Sequence, residues 1–243
     1  MTMEHFKLGL ANKVLDITCF DPFTKEYCKD FIVSDHSKPD YVFSITKEDI
    51  LKEKELECNK GSYGSIELSA LYRMIVSKLA FDNIILFHCS SFEVNGNAYC
   101  VAAHSGVGKS THVRLLRKTF GEDRIRYIND DKPLLLFEKD KIMVYGTPWN
   151  GKERNSRNVS YPLKGIALLS RSENNSISLM DKKAAYSRIL EQIFLPTDKL
   201  GMITTLSLID RLLKEIPIYD LRVNMEKEAA LTSYKGMIER KDI

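Results

Sequence analysis

A polyphosphate carries its charge on oxygens that need many donors at close range. The stretch Val101-Ala102-Ala103-His104-Ser105-Gly106-Val107-Gly108-Lys109-Ser110-Thr111-His112 has the residue types to supply them. A small apolar run enters as a strand, a glycine-interrupted turn follows, and Lys-Ser-Thr opens an amphipathic segment, Val113 to Phe120, that reads as a helix. A tight loop running into a helix N-terminus offers backbone N–H groups and the positive end of the helix dipole together. Seven of the eight positions of the phosphate-loop pattern G-x-x-x-x-G-K-[ST] conform, with Ala103 standing where the first glycine would be. In this reading Lys109 reaches the β and γ phosphates, Ser110 ligates magnesium, and Thr111 adds a donor to the α phosphate. His104 and Ser105 lie inside the loop, with side chains turned either to the nucleotide or to solvent. The competing reading is a strand-turn-helix junction that uses glycine for geometry alone. An ammonium beside a hydroxyl speaks against it, because a turn needs neither.

A second group of chemical residues follows one helix later. Arg124 to Ile128 reads as a strand ending in Asn129-Asp130-Asp131-Lys132. Carboxylates at that place suit a magnesium nucleotide: one holds the metal or its water, and the other orients or deprotonates a nucleophile. Which of Asp130 and Asp131 is the base stays open, and a solvated turn is the alternative. The loop from Gly146 to Asn158 holds the only Trp, Trp149, and the cations Lys152, Arg154 and Arg157, so it reads as a mobile segment able to fold over phosphates or grip an anionic acceptor.

The elements that must carry these residues follow from hydropathy. Short strands with polar breaks are expected at Phe6 to Leu10, Val14 to Thr18, Asp30 to Val33 and Tyr41 to Ile45, as hairpins without a helix between them. Ile50 to Glu57 fits an edge strand or a short helix, a loop covers Gly61 to Gly64, and Ser65 to Phe81 is a helix with one buried face. Ile84 to Cys89 begins the main domain as a strand, and Asn95-Gly96 marks a hairpin that delivers the chain into the glycine loop. Leu134 to Phe137 and Ile142 to Tyr145 form another hairpin. Leu163 to Leu169 and Ile177 to Leu179 are strands, Lys182 to Phe194 and Lys199 to Lys214 helices, Pro217 to Val223 a last strand, and Glu226 to Arg240 a terminal helix. The division is therefore a β-rich region at 1–81, capping one edge of the main sheet or forming a dimer surface, and a nucleotide-binding domain at 82–243.

With 243 residues, 44% hydrophobic and 28% charged, the chain is long enough for a well-buried α/β core, and the composition argues against disorder. A net charge of +3 without a basic run gives no support for nucleic acid as a partner. Cys19, Cys28, Cys58, Cys89 and Cys100 are odd in number and lack C-x-x-C spacing, which fits reduced thiols in a cytoplasmic protein. Met1 to His5 shows no signal peptide, and no apolar run approaches a membrane span.

The apolar strand with His88, the loop Ser105 to Ser110, the pair Asp130-Asp131 and the run Gly146-Thr147-Pro148-Trp149-Asn150-Gly151-Lys152 together resemble the HPr kinase/phosphorylase-related proteins. These share a nucleotide-binding core with ATP-dependent phosphoenolpyruvate carboxykinase. The resemblance covers residue 82 to the C-terminus, and its specific part is spacing: His88 precedes Lys109 by 21 positions (109 minus 88). It implies a mixed-sheet P-loop core with flanking helices, magnesium and ATP as cofactors, and phosphoryl transfer to a serine-like hydroxyl. The acceptor would be a small molecule, peptide or protein; small relatives are similar to kinases that phosphorylate a precursor peptide. His88 would tune the base or contact the γ phosphate. The catalytic set is then Asp130, Asp131, His88 and Lys109. The nucleotide-binding set is Ser105, Gly106, Val107, Gly108, Lys109, Ser110, Thr111, Lys152, Arg154 and Arg157, and the magnesium ligands are Ser110 and Asp131. Two departures stand out: Ala103, and the lack of a glycine-rich signature after the core, which removes HPr as the expected acceptor. A non-catalytic ATP-binding sensor and a phosphoserine phosphorylase are the alternative functions, and a homo-oligomer is compatible with each.

Overall fold

A computed structural model describes residues 3–34, 38–56 and 61–239; Met1, Glu57, Cys58 and Arg240, named above, lie outside them. Strands β1 (Glu4–Leu10) and β2 (Lys13–Cys19) form an antiparallel hairpin whose alternate residues, among them Leu8, Leu15 and Ile17, are fully buried. The expectation of hairpins without a helix is corrected at this point. Asp21 accepts from Phe23 N at 2.9 Å and Pro22 opens helix α1 (Pro22–Tyr27), an N-cap followed by N1 proline that short apolar spacing concealed. A single 3-10 turn, Lys29–Phe31, replaces the strand expected at Asp30 to Val33, and Ile32 alone bridges back to Leu8. Strand β3 (Tyr41–Ser44) then pairs parallel to β2, a geometry that a hairpin cannot produce.

The ambiguous segment is helix α2 (Lys47–Leu56). Thr46 and Asp49 settle it through reciprocal capping bonds, Thr46 N to Asp49 Oδ2 at 2.9 Å and Asp49 N to Thr46 Oγ1 at 3.2 Å. Helix α3 (Tyr63–Leu79) starts two residues before the expected Ser65, capped by Ser62. Its Glu67, fully buried, accepts from Phe20 N, Asp21 N and Thr24 Oγ1 at 2.6, 3.0 and 2.7 Å, so α3 carries α1 as one body.

The main sheet is built from β4 (Ile84–Leu86), β5 (Cys89–Val94), β6 (Asn97–Ala102), β7 (Arg126–Asn129), β8 (Leu134–Phe137), β9 (Ile142–Tyr145), β10 (Ser160–Arg171), β11 (Ser176–Leu179) and β12 (Ile218–Val223). Helices α4 (Lys109–Phe120), α5 (Lys182–Leu190), α6 (Lys199–Glu215) and α7 (Lys227–Ser233) accompany it, with one wider turn from Tyr234 to Ile238 ending the expected terminal helix early. The path is β4-β8-β9-β10-β6-β5-β7, with β12 against β10 and β11 against β12. Strand β10 curls the sheet. Its first residues pair antiparallel with β9, while Leu163 to Leu168 run parallel to β6 and Ile166 to Arg171 parallel to β12. The result is a mixed sheet in an α/β fold.

Side-chain alternation along β10 divides the core. Ile166 and Leu168 face Ala185, Ile189, Leu208 and Ile209 of α5 and α6. Ala167 and Leu169 face Val113, Leu116, Ala229 and Ala230 of α4 and α7. Each fully buried Val or Leu here contributes about 1.5–3 kcal/mol relative to exposure, which is what seats α4 behind the glycine loop. A third cluster joins the N-terminal strands and helices without interruption to Ile84, Leu86, Leu134 and Trp149, so one apolar core crosses the boundary expected at residue 82. The four described cysteines are free and buried, and burial pushes Cys19 and Cys28 up to about 12. No helix among the described residues is long and apolar enough to cross a membrane.

Candidate functional site

Strand β6 ends at Ala102, the chain turns through His104 to Gly108, and α4 begins at Lys109. Gly106 and Gly108 adopt φ of +78° and +126°, backbone that a side chain strains, which is why glycine occupies both. The first bond of α4 runs from His112 N to Gly108 O at 2.9 Å, and no side chain caps the helix. The amides of Lys109, Ser110 and Thr111 therefore precede any intrahelical acceptor. From the far side, Arg171 at the end of β10 donates Nε to Val107 O at 2.9 Å and a terminal nitrogen to Gly106 O at 2.6 Å. These bonds pin the carbonyls of Gly106 and Val107, and within the loop the Val107 amide donates to His104 O at 3.3 Å. Ala103 is buried, as the end of a strand, where a glycine has no special use.

Opposite the loop stands the turn after β7, and Asn129 builds it. Fully buried, it gives Nδ2 to Thr147 O, Thr147 Oγ1 and Trp149 O at 3.0, 3.0 and 3.3 Å, and its Oδ1 accepts from Asp131 N and Lys132 N at 2.8 and 2.7 Å. One side chain thus fixes both the acidic turn and the loop beside it. Asp130, 2% exposed, accepts from Gly151 N at 2.6 Å and Asn155 N at 3.3 Å. Asp131 Oδ1 lies 3.1 Å from His88 Nε2 and its Oδ2 accepts from Lys132 Nζ at 2.8 Å.

The environments push the two acids apart. Burial raises Asp130 above the usual carboxylate range, because the backbone bonds from Gly151 and Asn155 offset only part of the desolvation. Burial also works against ionised Asp131, but the His88 hydrogen bond and the Lys132 charge outweigh it and hold that carboxyl well below the usual range. For Lys132 burial opposes the charge and Asp131 overcomes it, so its pKa is raised. Burial pushes the Lys109 ammonium below its ordinary value, with Asp131 opposing.

His88 joins the two walls. It sits in the two-residue break, Phe87 and His88, between β4 and β5 rather than on a strand, a correction to the expected position, and its N–H is tied to Gln192 O at 2.7 Å. The break frees the ring to reach both sides. Nε2 is 3.1 Å from Lys109 Nζ as well as from Asp131 Oδ1, and Lys109 also donates to Ala103 O at 2.9 Å. A ring nitrogen either donates or accepts. With its proton given to Asp131, Lys109 keeps an ammonium donor for the space in front of it.

That space is a cleft of about 530 Å³ whose walls include Lys109, Ser110, Thr111, Asp130, Asp131 and Lys152. Ser105, Gly106, Gly108 and His88 line it too, whereas Val107 turns to the far side of the loop. Two cations expected there stand elsewhere. Arg154, at φ +52°, lies 4.8 Å over the Tyr27 ring of α1, and Arg157 donates Nε to Tyr127 O at 2.6 Å with one terminal nitrogen buried. Charge counts in a loop carry no information on direction. His104 points outward to Glu191 at 3.2 Å. Among residues the sequence reading passed over, Arg171 and Tyr27 act across 64 and 123 positions, where no local pattern signals them. Tyr27 Oη lies 3.0 Å from Asn150 Oδ1. Asn129 was visible only as part of a polar run.

For a divalent cation, the described residues bring no three His, Cys, Asp or Glu together as a cage. Magnesium needs no such cage; it takes one or two protein oxygens and completes its shell with water and substrate phosphate. The Ser110 hydroxyl and the ionised Asp131 carboxylate, both on the cleft, have that oxygen chemistry.

No protein-family model matches the chain, and no curated protein matches it. Solved structures similar to it include the HPr(Ser) kinase/phosphatase from Coxiella burnetii, at 14% identity over 54% of this chain and 92% of that one, with a TM-score of 0.28. A superposition that loose carries no argument about this chain.

Proposed function

We propose that this protein is a kinase of the P-loop type that transfers the γ-phosphoryl group of a magnesium-bound nucleoside triphosphate, ATP in the first instance, to a hydroxyl. The observation that carries the reading is the contact chain Ala103 O, Lys109 Nζ, His88 Nε2, Asp131 Oδ1, which joins the cation of a glycine loop to the acid of the facing turn across one cleft. In this account the amides from Gly106 to Thr111 hold the phosphates, and Lys109 sits against the β and γ oxygens. Bound magnesium would neutralise charge on those oxygens, held by Ser110 and Asp131. Asp131 suits that role because it stays ionised over the whole working range.

Asp130 takes the acceptor's proton. The acceptor oxygen forms a bond to the γ phosphorus as the bond from phosphorus to the β,γ-bridging oxygen breaks, and the nucleoside diphosphate leaves with that electron pair. A raised pKa makes Asp130 the better base of the two. Lys152 is the one loop cation on the cleft wall and neutralises charge on the transferring group. Phosphoryl transfer depends mainly on positioning and charge. Lys109→Ala should therefore lower ATP turnover by about 10²–10³-fold or more while leaving the thermal unfolding profile close to that of the wild type. Incubation with labelled ATP and mixed hydroxyl acceptors, read by mass spectrometry, measures it, and equal turnover by the two proteins would refute the assignment.

A further inference from the structure

Strands β6 and β10 run parallel, and open α/β sheets take ligands in the crevice beyond the carboxyl ends of such strands. Beyond those ends, on the α5 side of the glycine loop, lies a second cavity of about 450 Å³. It is separate from the cleft holding Asp130 and Asp131 but shares the lip Ser105–Gly106 with it. Ala102 and Leu168 make an apolar floor. Arg171, Arg188 and Gln192 bring polar groups to the walls, as does the His104–Glu191 pair, in contact at 3.2 Å.

Three of these groups are poised for a ligand. Gln192 is 5% exposed, yet its Oε1 has no hydrogen-bond partner among the described residues, and it lines this cavity. A buried carbonyl without a donor is costly unless something delivers one. Arg188 gives one terminal nitrogen to Asp220 Oδ1 at 2.9 Å, and Arg171 spends Nε and one terminal nitrogen on the loop carbonyls. Each guanidinium carries five N–H donors, so both retain donors beyond these bonds. Forked cations beside an unanswered acceptor suit a molecule that has a carboxylate and also an O–H or N–H group.

We propose that this cavity anchors the phosphoryl acceptor and that the acceptor is a small hydroxy acid. Its carboxylate lies on Arg188 and Arg171, a donor of its own meets Gln192 Oε1, and the hydroxyl to be phosphorylated reaches over Ser105 into the cleft. The inference rests on the kinase reading and uses the transfer step written there. The nucleoside end of ATP is directed elsewhere. With the γ phosphate at Lys109 and the α phosphate at Thr111, the sugar and base lead toward an adjoining hollow beside Thr111, lined by Leu115 and Met225 and meeting this cavity at Arg171.

Isothermal titration of D-glycerate, L-serine and L-lactate into the protein, in magnesium and a non-hydrolysable ATP analogue, tests the proposal, with glycerol as the carboxylate-free control. At least one of the three acids should bind saturably and glycerol should not. Arg188→Met should weaken that binding by about tenfold or more, and Gln192→Leu should weaken it also, while the affinity for the ATP analogue stays within about twofold of the wild type. Since Arg188 also pairs with Asp220, Gln192→Leu keeps the test open if the arginine variant does not fold. With ATP in place of the analogue, the acid that binds should gain one phosphoryl group by mass spectrometry. Analogue binding without binding of any of the acids, or folded variants that bind the acid as the wild type does, overturns this proposal alone. Failure of the wild type to bind the ATP analogue instead overturns the kinase reading and takes the anchoring pocket with it.

Discussion

The two walls of the cleft both carry a pair of glycines, and the pairs serve unlike ends. In the loop before α4, a Cβ added to Gly106 or Gly108 would meet nothing within 4 Å; what demands glycine is the positive φ of each. At the two glycines of the facing loop φ is not positive and space is the constraint: a Cβ at Gly146 would lie 1.9 Å from Arg157 O, and one at Gly151 3.2 Å from Asp130 Oδ1. One wall is therefore an open cradle of amides whose shape is set by torsion. The other is a packed abutment in which Asn129, Thr147 and the Gly151 amide hold carboxylates in place. An open wall suits a ligand that comes and goes, and a packed wall suits groups whose pKa must stay shifted.

The comparison yields predictions of decreasing size. Asp130→Asn should lower kcat by about 10²–10⁴-fold, the range for a lost general base. Asp131→Asn should mainly raise the magnesium concentration needed for half-maximal rate. Because Asp130 must be ionised to accept a proton and burial raises its pKa, wild-type kcat/KM should fall on the acid side at a higher pH than an ordinary aspartate would give. Equal and mild effects of the two substitutions would reduce the acidic wall to a solvated turn. Gly146→Ala should cost about 3 kcal/mol of stability in denaturant unfolding, since backbone rather than a flexible side chain blocks the new methyl. A loss below that of Gly108→Ala would break the comparison outright.

Acid separates the walls further. His112, buried on α4 with Nε2 2.9 Å from Ser233 Oγ, is pushed down from 6.5 to about 4 by desolvation. The unfolded chain then takes up this proton first as pH falls, so the stabilising difference is complete above pH 6.5 and is lost between there and 4. By pH 5 the loss should be about 2 kcal/mol, seen as a steeper pH dependence of unfolding free energy in the wild type than in His112→Gln. Asp131, held ionised, contributes no such loss in that window. Smallest of all, Gly108→Ala should cost about 1 kcal/mol of stability and weaken nucleotide binding more than it weakens the fold, as titration of an ATP analogue against denaturant curves would show.

The same contrast explains what was legible beforehand. A glycine turn running into a helix is written in consecutive residues, so the turn before Lys109 and the helix behind it could be read directly from type and spacing. The place of Asp130-Asp131 at a strand end was legible, as was the Asn95-Gly96 hairpin as a turn. What escaped were contacts set by tertiary placement. Arg171 restrains its loop across the sheet, and β10 changes partners along its length, which periodicity does not record. Arg154 and Arg157 had the right charge and the wrong direction, drawn off by Tyr27 and by Tyr127 O. In the N-terminal region α1 was missed because a six-residue helix is too short for an apolar period, although Asp21-Pro22 marked its start.

The central claim is that a triphosphate lies between the glycine loop and the acid pair. A crystal structure with magnesium and a non-hydrolysable ATP analogue tests it most directly. The account predicts phosphate oxygens on the amides of Gly106 to Thr111, Lys109 against the β and γ groups, and the metal between Ser110 and Asp131. Phosphates bound elsewhere on the molecule, or carboxylates of Asp130 and Asp131 turned away from them, would contradict it.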